Sequence, residues 1–191
     1  MRARTFQLAS LLLTYPDEEL LAAGPELRAA AAGNEPITAF LDWLLGTPLI
    51  DCQRHYVQTF DLRRRSGLYL TYYLHGDTRK RGMALLVLKQ RYRAHGLTLA
   101  GGELPDLLPV VLEFAAVAGP GDGEAPLRQH RQGLELLRSA LSESGSPYRE
   151  LLEAVCAILP PLTGDDLAAI TALAVDGPPV ESVGVSVEGY K

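Results

Sequence analysis

Apolar residues recur every three or four positions through most of this chain, with prolines and glycines between the periodic stretches. This spacing places the apolar side chains on one face of an α-helix. In the clearest stretch, Pro36 stands at a first-turn position, Ile37, Phe40 and Leu44 form the stripe, and Gly46 follows the last turn. The pattern predicts an all-α fold, a single-domain bundle of about nine helices without a convincing sheet.

Nine stretches carry this helical pattern and end at a helix-breaking residue. They cover residues 5–15, 17–33, 36–45, 48–61, 78–95, 106–118, 127–141, 147–159 and 163–174. The sequence LYLTYYL at 68–74 is ambiguous, because its tyrosines and threonine favour a strand while no partner strand is predicted. It is either a buried helix or an extended connector. The helical domain is expected over 1–175, and 176–191 is expected to be a flexible C-terminal tail or to dock as an extended strand.

Several helix starts carry side chains that can cap free backbone N–H groups. Asp17, Asp77 and Asp106 are predicted N-caps, and Thr163 with Asp166 resembles a capping box. The helical stripes also predict which side chains share one core. This predicted set is Tyr56, Phe60, Leu86 and Leu112.

Residues 54–93 differ from the rest of the chain in charge. They contain ten basic residues against Asp61 and Asp77, a balance of +8, whereas the whole chain carries −5 and its remainder therefore −13. Charge distribution governs partners and solubility rather than fold. Since the segment is also densely aromatic, it predicts a surface patch that meets a partner.

The composition argues against a membrane span and against a disulfide framework. No stretch approaches the roughly 20 uncharged apolar residues that a span requires. Cys52 and Cys156 are too few for a framework and do not form a C-x-x-C pair. Two arginines precede a short apolar run at the N-terminus, but an acidic DEE sequence follows in place of a cleavage site. The expected location is cytoplasmic.

Residues able to do chemistry do not assemble into a recognised catalytic motif. Cys52 and His55 have the i, i+3 spacing of two metal ligands, but no second Cys/His pair exists and Cys52 falls on an apolar stripe. His75, His95 and His130 stand alone. No nucleophile elbow, phosphate loop or dinucleotide fingerprint is present. The sequence predicts no enzyme activity and no metal or cofactor of its own.

Three cations stand where a helix is predicted to begin. With Asp77 as the cap, Arg79, Lys80 and Arg81 occupy the first turn, where the helix dipole makes each unfavourable by about 0.3 to 1 kcal/mol at an exposed site. A solvated face would not normally use that arrangement. Two interpretations stay open: acidic residues elsewhere in the chain pair with these cations, or the cations bind an anionic partner or ligand.

On its residues alone, the chain is a helical binding module with a basic, aromatic surface. Tyr69, Tyr72 and Tyr73 can anchor a peptide at a groove edge, although such residues are more often part of a core. The alternative is a small regulator that binds nucleic acid or a nucleotide through residues 54–93, because basic residues interleaved with aromatics grip single strands. The acidic pI of about 5.4 and the lack of a nucleic-acid motif argue against this alternative.

Several strings of this region resemble the NarJ family of respiratory nitrate reductase assembly chaperones. The strings are YVQTFDLRRR, LYLTYYLHGDTRKRGMALL, LKQRYRAHGL and ELPDLLPVVLEFAA, and they span roughly residues 52–118. The resemblance implies a TorD-like all-helical fold. It implies a cytoplasmic chaperone, not an enzyme, that binds the N-terminal segment of the catalytic (alpha) subunit in its apo form. Such a chaperone holds the subunit for molybdenum cofactor insertion and delays its docking to the membrane.

The resemblance also implies a set of partner-binding residues. They are Tyr56, Phe60, Asp61, Tyr69, Tyr72, Tyr73, Gly76, Asp77, Arg79, Lys80, Arg81, Pro105, Asp106, Pro109 and Glu113. One departure stands out: related chaperones often carry an Asp-His pair where this chain has Asp106 and Leu107. The expected docking mode lays the apolar face of an amphipathic peptide against Tyr and Leu side chains while basic residues pair with its acidic groups. Proteins that deliver molybdenum cofactor are further expected partners, whereas nucleic acid and membrane insertion are not expected.

Overall fold

The computed structural model describes residues 1–179, apart from the side chain of Arg64, and this range is built from helices. It contains a π-helix at Val57–Asp61 and a 3-10 turn at Arg64–Ser66. The twelve α-helices within the range are α1 (Arg2–Leu12), α2 (Glu18–Ala22), α3 (Gly24–Ala30), α4 (Glu35–Gly46), α5 (Leu49–Tyr56), α6 (Leu70–His75), α7 (Arg79–Ala94), α8 (Leu108–Ala118), α9 (Ala125–Gln129), α10 (Arg131–Glu143), α11 (Arg149–Ala157) and α12 (Gly164–Asp176). The all-α prediction is confirmed.

The described helices outnumber the predicted nine for three local reasons. The stretch 17–33 divides into α2 and α3 at the predicted Gly-Pro break, and 127–141 divides into α9 and α10 at His130. The ambiguous LYLTYYL stretch supplies the third. Tyr69 is extended and forms a bridge with Leu107, and α6 begins at the next residue. The stretch therefore contains both predicted structures, first an extended residue and then a helix.

At two of the predicted helix starts, the predicted side-chain caps are present. The carboxylate of Asp17 accepts the N–H of Leu20 at 2.7 Å. Thr163 and Asp166 form the capping box, in which each side chain accepts the backbone N–H of the other residue. Of the predicted tail over 176–191, Asp176 ends α12 and residues 180–191 lie outside the described range.

The main core lies between α1, α4, α8, α10 and α11. The almost wholly apolar α8 packs most extensively against α1. At their contact, the hydroxyl of Ser10 donates to the carbonyl of Pro109 at 2.7 Å, so this buried polar group is satisfied. No helix in the described part of the chain is both long and apolar enough to cross a membrane.

An aromatic cluster joins α4, the end of α5 and α11. The fully buried ring of Tyr148 lies 4.8 Å from the ring of Phe40 and 4.9 Å from that of Phe60. Tyr56 meets Phe60 edge-on at 4.9 Å and donates its hydroxyl to the carbonyl of Leu13 at 3.2 Å. Such offset and edge contacts add about 0.5 to 1.5 kcal/mol per pair beyond area burial. The predicted burial of Phe60 is thereby confirmed.

The prediction that Leu86 shares this core is wrong. Its side chain is 45% exposed, whereas Leu112 is fully buried. Apolar residues lie on both faces of α7, and Leu88 with Tyr92 takes the inward face against Phe114. The outward face therefore keeps three large exposed apolar side chains, Met83, Leu86 and Val87.

A glycine sets the distance between α6 and α10. A Cβ on Gly133 would lie 3.1 Å from the Cβ of Tyr73 and 3.3 Å from the carbonyl oxygen of Leu70. An alanine here would require α6 to shift by a few tenths of an ångström, since its atoms already fill that space. The position of α6 is thus fixed by direct packing on the backbone of α10.

Replacing Phe60 should test the aromatic cluster. We expect Phe60→Ala to lower the free energy of unfolding by about 3 to 5 kcal/mol, because it leaves a cavity against Tyr148. The hydroxyl of Tyr148 is buried and has no hydrogen-bond partner among the described residues. Tyr148→Phe is therefore the matched control, and it should leave stability unchanged or raised. Urea denaturation curves of both variants make the comparison, and a large loss in Tyr148→Phe would contradict it.

His130 is a buried histidine whose pKa is lowered in the folded protein. The Nδ1 of His130 donates to the carbonyl of Pro126 at 2.9 Å, and its ring meets that of His75 edge-on. Burial is the main cause that lowers the pKa of His130 below its usual 6.5; His75 lowers it further, while the Pro126 carbonyl and Asp106 partly raise it. Burial, together with Lys80, lowers the pKa of His75 as well.

Because the unfolded chain binds these protons at higher pH than the folded chain, stability should be full above pH 6.5 and fall as the pH drops through the lower folded-state values. We expect His130→Gln to reduce this loss between about pH 7 and pH 5. Thermal melts of the wild type and variant across that range measure the difference. Identical pH profiles would show that His130 does not contribute.

Candidate functional site

The buried carboxylate of Asp106, just before α8, contacts side chains of α6 and α7. Asp106 is 0% exposed, and its Oδ2 accepts both the backbone N–H of Thr71, at 3.3 Å, and the hydroxyl of Thr71. The guanidinium of Arg81 lies 3.5 Å from the same oxygen. Removing such a charge from water is costly unless partners of this kind compensate it. The three side chains therefore hold three helices in one arrangement.

Backbone hydrogen bonds reinforce this junction. The N–H of Leu70 donates to the carbonyl of Asp106 at 3.0 Å, and the N–H of Leu108 donates to the carbonyl of Leu68 at 2.8 Å. These bonds join the start of α6 to the start of α8. They satisfy groups that the ends of both helices would otherwise leave unpaired.

Neither Asp77 nor Asp106 is the helix cap that the sequence predicts. Thr78 precedes α7 and Leu107 precedes α8, and neither makes a side-chain cap bond. Asp106 is instead turned into the junction, and the exposed Asp77 pairs with Arg81 at 3.1 Å. Both predicted caps are wrong: Asp77 pairs with the side chain of Arg81, and Asp106 accepts the backbone N–H of Thr71 in the first turn of α6 rather than one at the start of α8.

Arg81 is the centre of an aromatic and ionic contact. Its guanidinium carbon lies 5.7 Å from the ring centroids of both Tyr69 and Tyr72, a distance typical of a cation–π contact. Together with its two carboxylate partners, these contacts leave its side chain only 18% exposed. Of the two interpretations open for the basic triplet, internal pairing holds for Arg81. Arg79 and Lys80 are exposed in the same first turn.

The predicted partner-binding residues differ widely in burial. The buried ones are Phe60, Tyr73, Gly76, Pro105, Asp106 and Pro109. The half-buried ones are Tyr56, Tyr72 and Arg81. The exposed ones are Asp61, Tyr69, Asp77, Arg79, Lys80 and Glu113. The structure joins Tyr69, Tyr72, Asp77, Arg81 and Asp106 in one cluster, whereas Tyr56 and Phe60 belong to the aromatic cluster, and Pro109 and Glu113 lie on α8.

Two buried members of this set, Tyr73 and Pro105, make hydrogen bonds within the bundle. The hydroxyl of Tyr73 donates to the carbonyls of Arg65 and Gly67, at 3.1 and 2.9 Å, and burial raises the pKa of Tyr73 so that this proton stays in place. The carbonyl of Pro105 accepts the hydroxyl of Tyr92 at 2.6 Å. Burial, with smaller contributions from Asp61 and Tyr69, raises the pKa of Tyr56 to about 12.

The outward face of α7 combines positive charge with apolar area. This helix contains six basic and no acidic residues. Four of the basic side chains, Arg79, Lys80, Lys89 and Arg93, are exposed on the same helix as Met83, Leu86 and Val87. Our reading of the sequence missed this face. Two apolar stripes run along α7, but only one face of the helix meets the core. The second stripe was therefore the sequence signal for an exposed apolar face.

A groove of about 470 Å³ lies where α6, α10 and the end of α12 meet. Tyr72 and Tyr73 line it from α6, and Leu136 and Ala140 line it from α10. Sequence reasoning placed the tyrosines at a groove but did not identify α10 as the opposite wall. The α10 stripe gave no signal for this, because Leu136 lies at the margin of a face that is otherwise fully buried.

Leu107 stands at the position after Asp106 where the resemblance leads us to expect a histidine. It is half-buried, packs against the main core and forms the bridge with Tyr69. A leucine side chain cannot transfer a proton or coordinate a metal ion, and this one packs against the core.

Cys52 and His55 do not form a paired site. The thiol of Cys52 is fully buried and contacts the carbonyls of Leu44 and Thr47, whereas Nε2 of His55 lies 2.8 Å from the hydroxyl of Ser146. Burial raises the pKa of the Cys52 thiol and lowers the pKa of His55. Across residues 1–179, no group of three or more His, Cys, Asp or Glu side chains is arranged to hold a metal ion.

The buried junction can be tested by removing one partner at a time. We expect Asp106→Ala to cost about 3 to 5 kcal/mol, because Arg81 and Thr71 lose their buried acceptor. Arg81→Gln should also be destabilising. Lys80→Gln is the matched control in the same helical turn, and it should leave the free energy of unfolding unchanged or slightly raised, since an unfavourable dipole contact is removed. Chemical denaturation of the three variants compares these effects; equal losses in Arg81→Gln and Lys80→Gln would contradict the assignment.

Comparison with known proteins identifies relatives along most of the chain. NarJ of Bacillus subtilis is assigned as a nitrate reductase molybdenum cofactor assembly chaperone. It is 37% identical to this chain, over 83% of this chain and 89% of that protein. NarJ of Escherichia coli K12 is 32% identical, over 76% of this chain and 65% of that protein. The nitrate reductase-like protein NarX of Mycobacterium tuberculosis is 42% identical over 79% of this chain, which spans only 24% of NarX.

The fold also has a counterpart among crystal structures. A protein assigned as a redox enzyme maturation protein from Archaeoglobus fulgidus superposes with a TM-score of 0.64, at 23% identity, over 81% of this chain and 91% of that chain. This likeness establishes the fold. The family model described as nitrate reductase delta subunit matches residues 26–154. With that match and the Bacillus relative aligned along most of both chains, this protein belongs to the nitrate reductase delta subunit family.

Proposed function

We propose that this chain is an assembly chaperone for a respiratory nitrate reductase. It binds the N-terminal segment of the apo catalytic (alpha) subunit, holds that subunit competent for molybdenum cofactor insertion, and delays its docking to the membrane. The observation that carries this proposal is the similarity to the Bacillus chaperone along most of both chains. Proteins that deliver the cofactor are proposed as further partners, and the place of action is the cytoplasm.

The proposed role requires no catalysis by the chaperone and no cofactor of its own. The Bacillus and Escherichia relatives carry the name of assembly chaperones. Both thiols in the chain are buried, and burial raises the pKa of Cys156 to about 12 and raises that of Cys52 as well. Protonated, buried thiols are poor nucleophiles and poor metal ligands, which agrees with a binding role.

The surface around α6 and α7 suits an amphipathic peptide. Tyr69 is 41% exposed at the cluster, and α7 contributes Leu86 and its exposed apolar neighbours. A helix that lays its apolar face on such residues gains from burial of nonpolar area. Exposed cations such as Lys80 pair with acidic groups of the same peptide and set its orientation.

The alternative, a nucleic-acid or nucleotide regulator, uses the same cations differently. Binding driven by phosphate contacts releases counterions, so its affinity falls steeply with salt. Apolar burial is much less sensitive to salt. A weak salt dependence of peptide binding, and no binding of single-stranded DNA or of nucleotides, would separate the two functions.

Calorimetry with a synthetic peptide tests the proposal directly. The peptide copies the first residues of a nitrate reductase catalytic subunit. We expect binding without added metal or nucleotide, and with a negative heat-capacity change, because apolar area leaves water. No binding across several pH values and salt concentrations would contradict the chaperone assignment.

Surface variants locate the site. Tyr69→Ala and Leu86→Ala should each weaken binding about tenfold, as truncation of an anchor residue costs about 1 to 2 kcal/mol. Val117→Ala removes an apolar side chain of comparable exposure from α8 and is the matched control. Thermal melts confirm that each variant folds. Equal affinity of all three variants and the wild type would place the peptide elsewhere.

A further inference from the structure

The C-terminal part of the described chain lies loosely on the bundle. We call residues 164–179 the C-terminal strap; it consists of α12 and the three residues that follow. None of the α12 side chains is fully buried, and the helix packs on α10 through a narrow stripe that includes Ile170 and Leu173. Segments with few buried apolar contacts open at a lower free energy than the core.

The strap forms one side of the groove beside Tyr72. Residues 173–178 face Tyr72 and Tyr73 of α6 and Leu136 and Ala140 of α10 across this space. At the end of α12, Gly177 adopts a φ of 73° and turns the chain. The groove wall formed by the strap is thus the final turn of a helix and its exit.

After this turn, the strap crosses the end of α6 in close contact. Gly76 ends α6 with a φ of 54°, and a Cβ built on it would lie only 1.9 Å from the carbonyl oxygen of Pro179. That approach is possible because glycine has no side chain. Gly76 follows Tyr73 by three residues, so the strap passes directly over the helix that carries the tyrosines.

The strap has the chemistry that the proposed partner should have. Its helix contains three aspartates and no basic residue, and apart from Asp176 the strap residues that line the groove carry no charge. Asp176 lines the groove on the strap side, and Arg65 lines it on the other. An acidic, largely apolar helix therefore covers a groove whose other lining includes two tyrosines, Arg65 and, from α10, Glu143.

We propose that the C-terminal strap occupies, in the free chaperone, part of the surface on which the client peptide binds, and that the peptide displaces it. This inference rests on the proposed function, because the client is the competing ligand. Tyr72 connects the two areas, as it contacts Arg81 in the cluster and also lines the groove under the strap. A peptide that extends past Tyr72 enters the space that residues 173–178 cover.

Competition lowers the apparent affinity by the fraction of molecules in which the strap is open. Weakening the strap in the full chain should therefore tighten peptide binding. Leu173→Gln weakens its groove side, and Gly76→Ala places a methyl group against Pro179. Leu167→Gln is the matched control, since it makes the same change at a 54% exposed position of α12.

We expect Leu173→Gln and Gly76→Ala to lower the dissociation constant for the synthetic client peptide by on the order of tenfold, with Leu167→Gln equal to the wild type. Thermal melts establish that each variant is folded. Unchanged or weaker binding in both variants, with normal binding by the wild type, overturns the strap inference alone. Absence of binding by all four proteins overturns the proposed function instead.

Hydrogen exchange gives a second readout that needs no client. In the free wild type, the amides of α12 should exchange much faster than those of α10, and Leu173→Gln should increase the exchange of α12 further. Addition of the peptide should raise exchange in α12 rather than protect it. Exchange in α12 as slow as that in α10, or protection of α12 by the peptide, overturns the inference.

Discussion

The buried carboxylate of Asp106 determines how the binding face is arranged. A charge with no exposure to solvent must be stabilised by its surroundings, and here Thr71 and Arg81 contact its Oδ2 from two different helices, while Oδ1 has no hydrogen-bond partner among the described residues. Any shift of α6 or α7 relative to α8 would separate these groups in a medium of low dielectric constant. Tyr69 and Tyr72 keep their positions because they contact the same arginine.

Some charged and apolar side chains of α7 hold the helix to the bundle, and others are exposed on its outward face. Arg81, Leu88 and Tyr92 face inward and hold the helix to the bundle. The outward stripe that contains Leu86 serves no packing contact in the core, and exposed large apolar side chains on one helix face are a common feature of interaction sites. Because the two stripes share one helix, α7 connects the folded core to the surface proposed for the partner.

The sequence predicted the helical class, most helix positions and the burial of Phe60, since these depend on local spacing and helix breakers. It placed Leu86 in the core because periodicity alone does not tell which of two stripes faces inward. Local spacing predicts caps at Asp77 and Asp106. Asp106 instead meets Arg81 through tertiary packing, and Asp77 pairs with the same arginine four residues along the chain. The α10 wall of the groove depends on contacts between distant segments, which a single sequence does not contain.

The missing side chain at Gly133 has a thermodynamic consequence for recognition. With α6 packed directly on the backbone of α10, the ring of Tyr73 lies against Gly133 and is held in place before any partner arrives. The conformational entropy of this side chain is lost on folding, so peptide binding does not lose it again. Discrimination among client segments then rests on a rigid template, so a poorly matching peptide cannot gain affinity by remodelling the tyrosines.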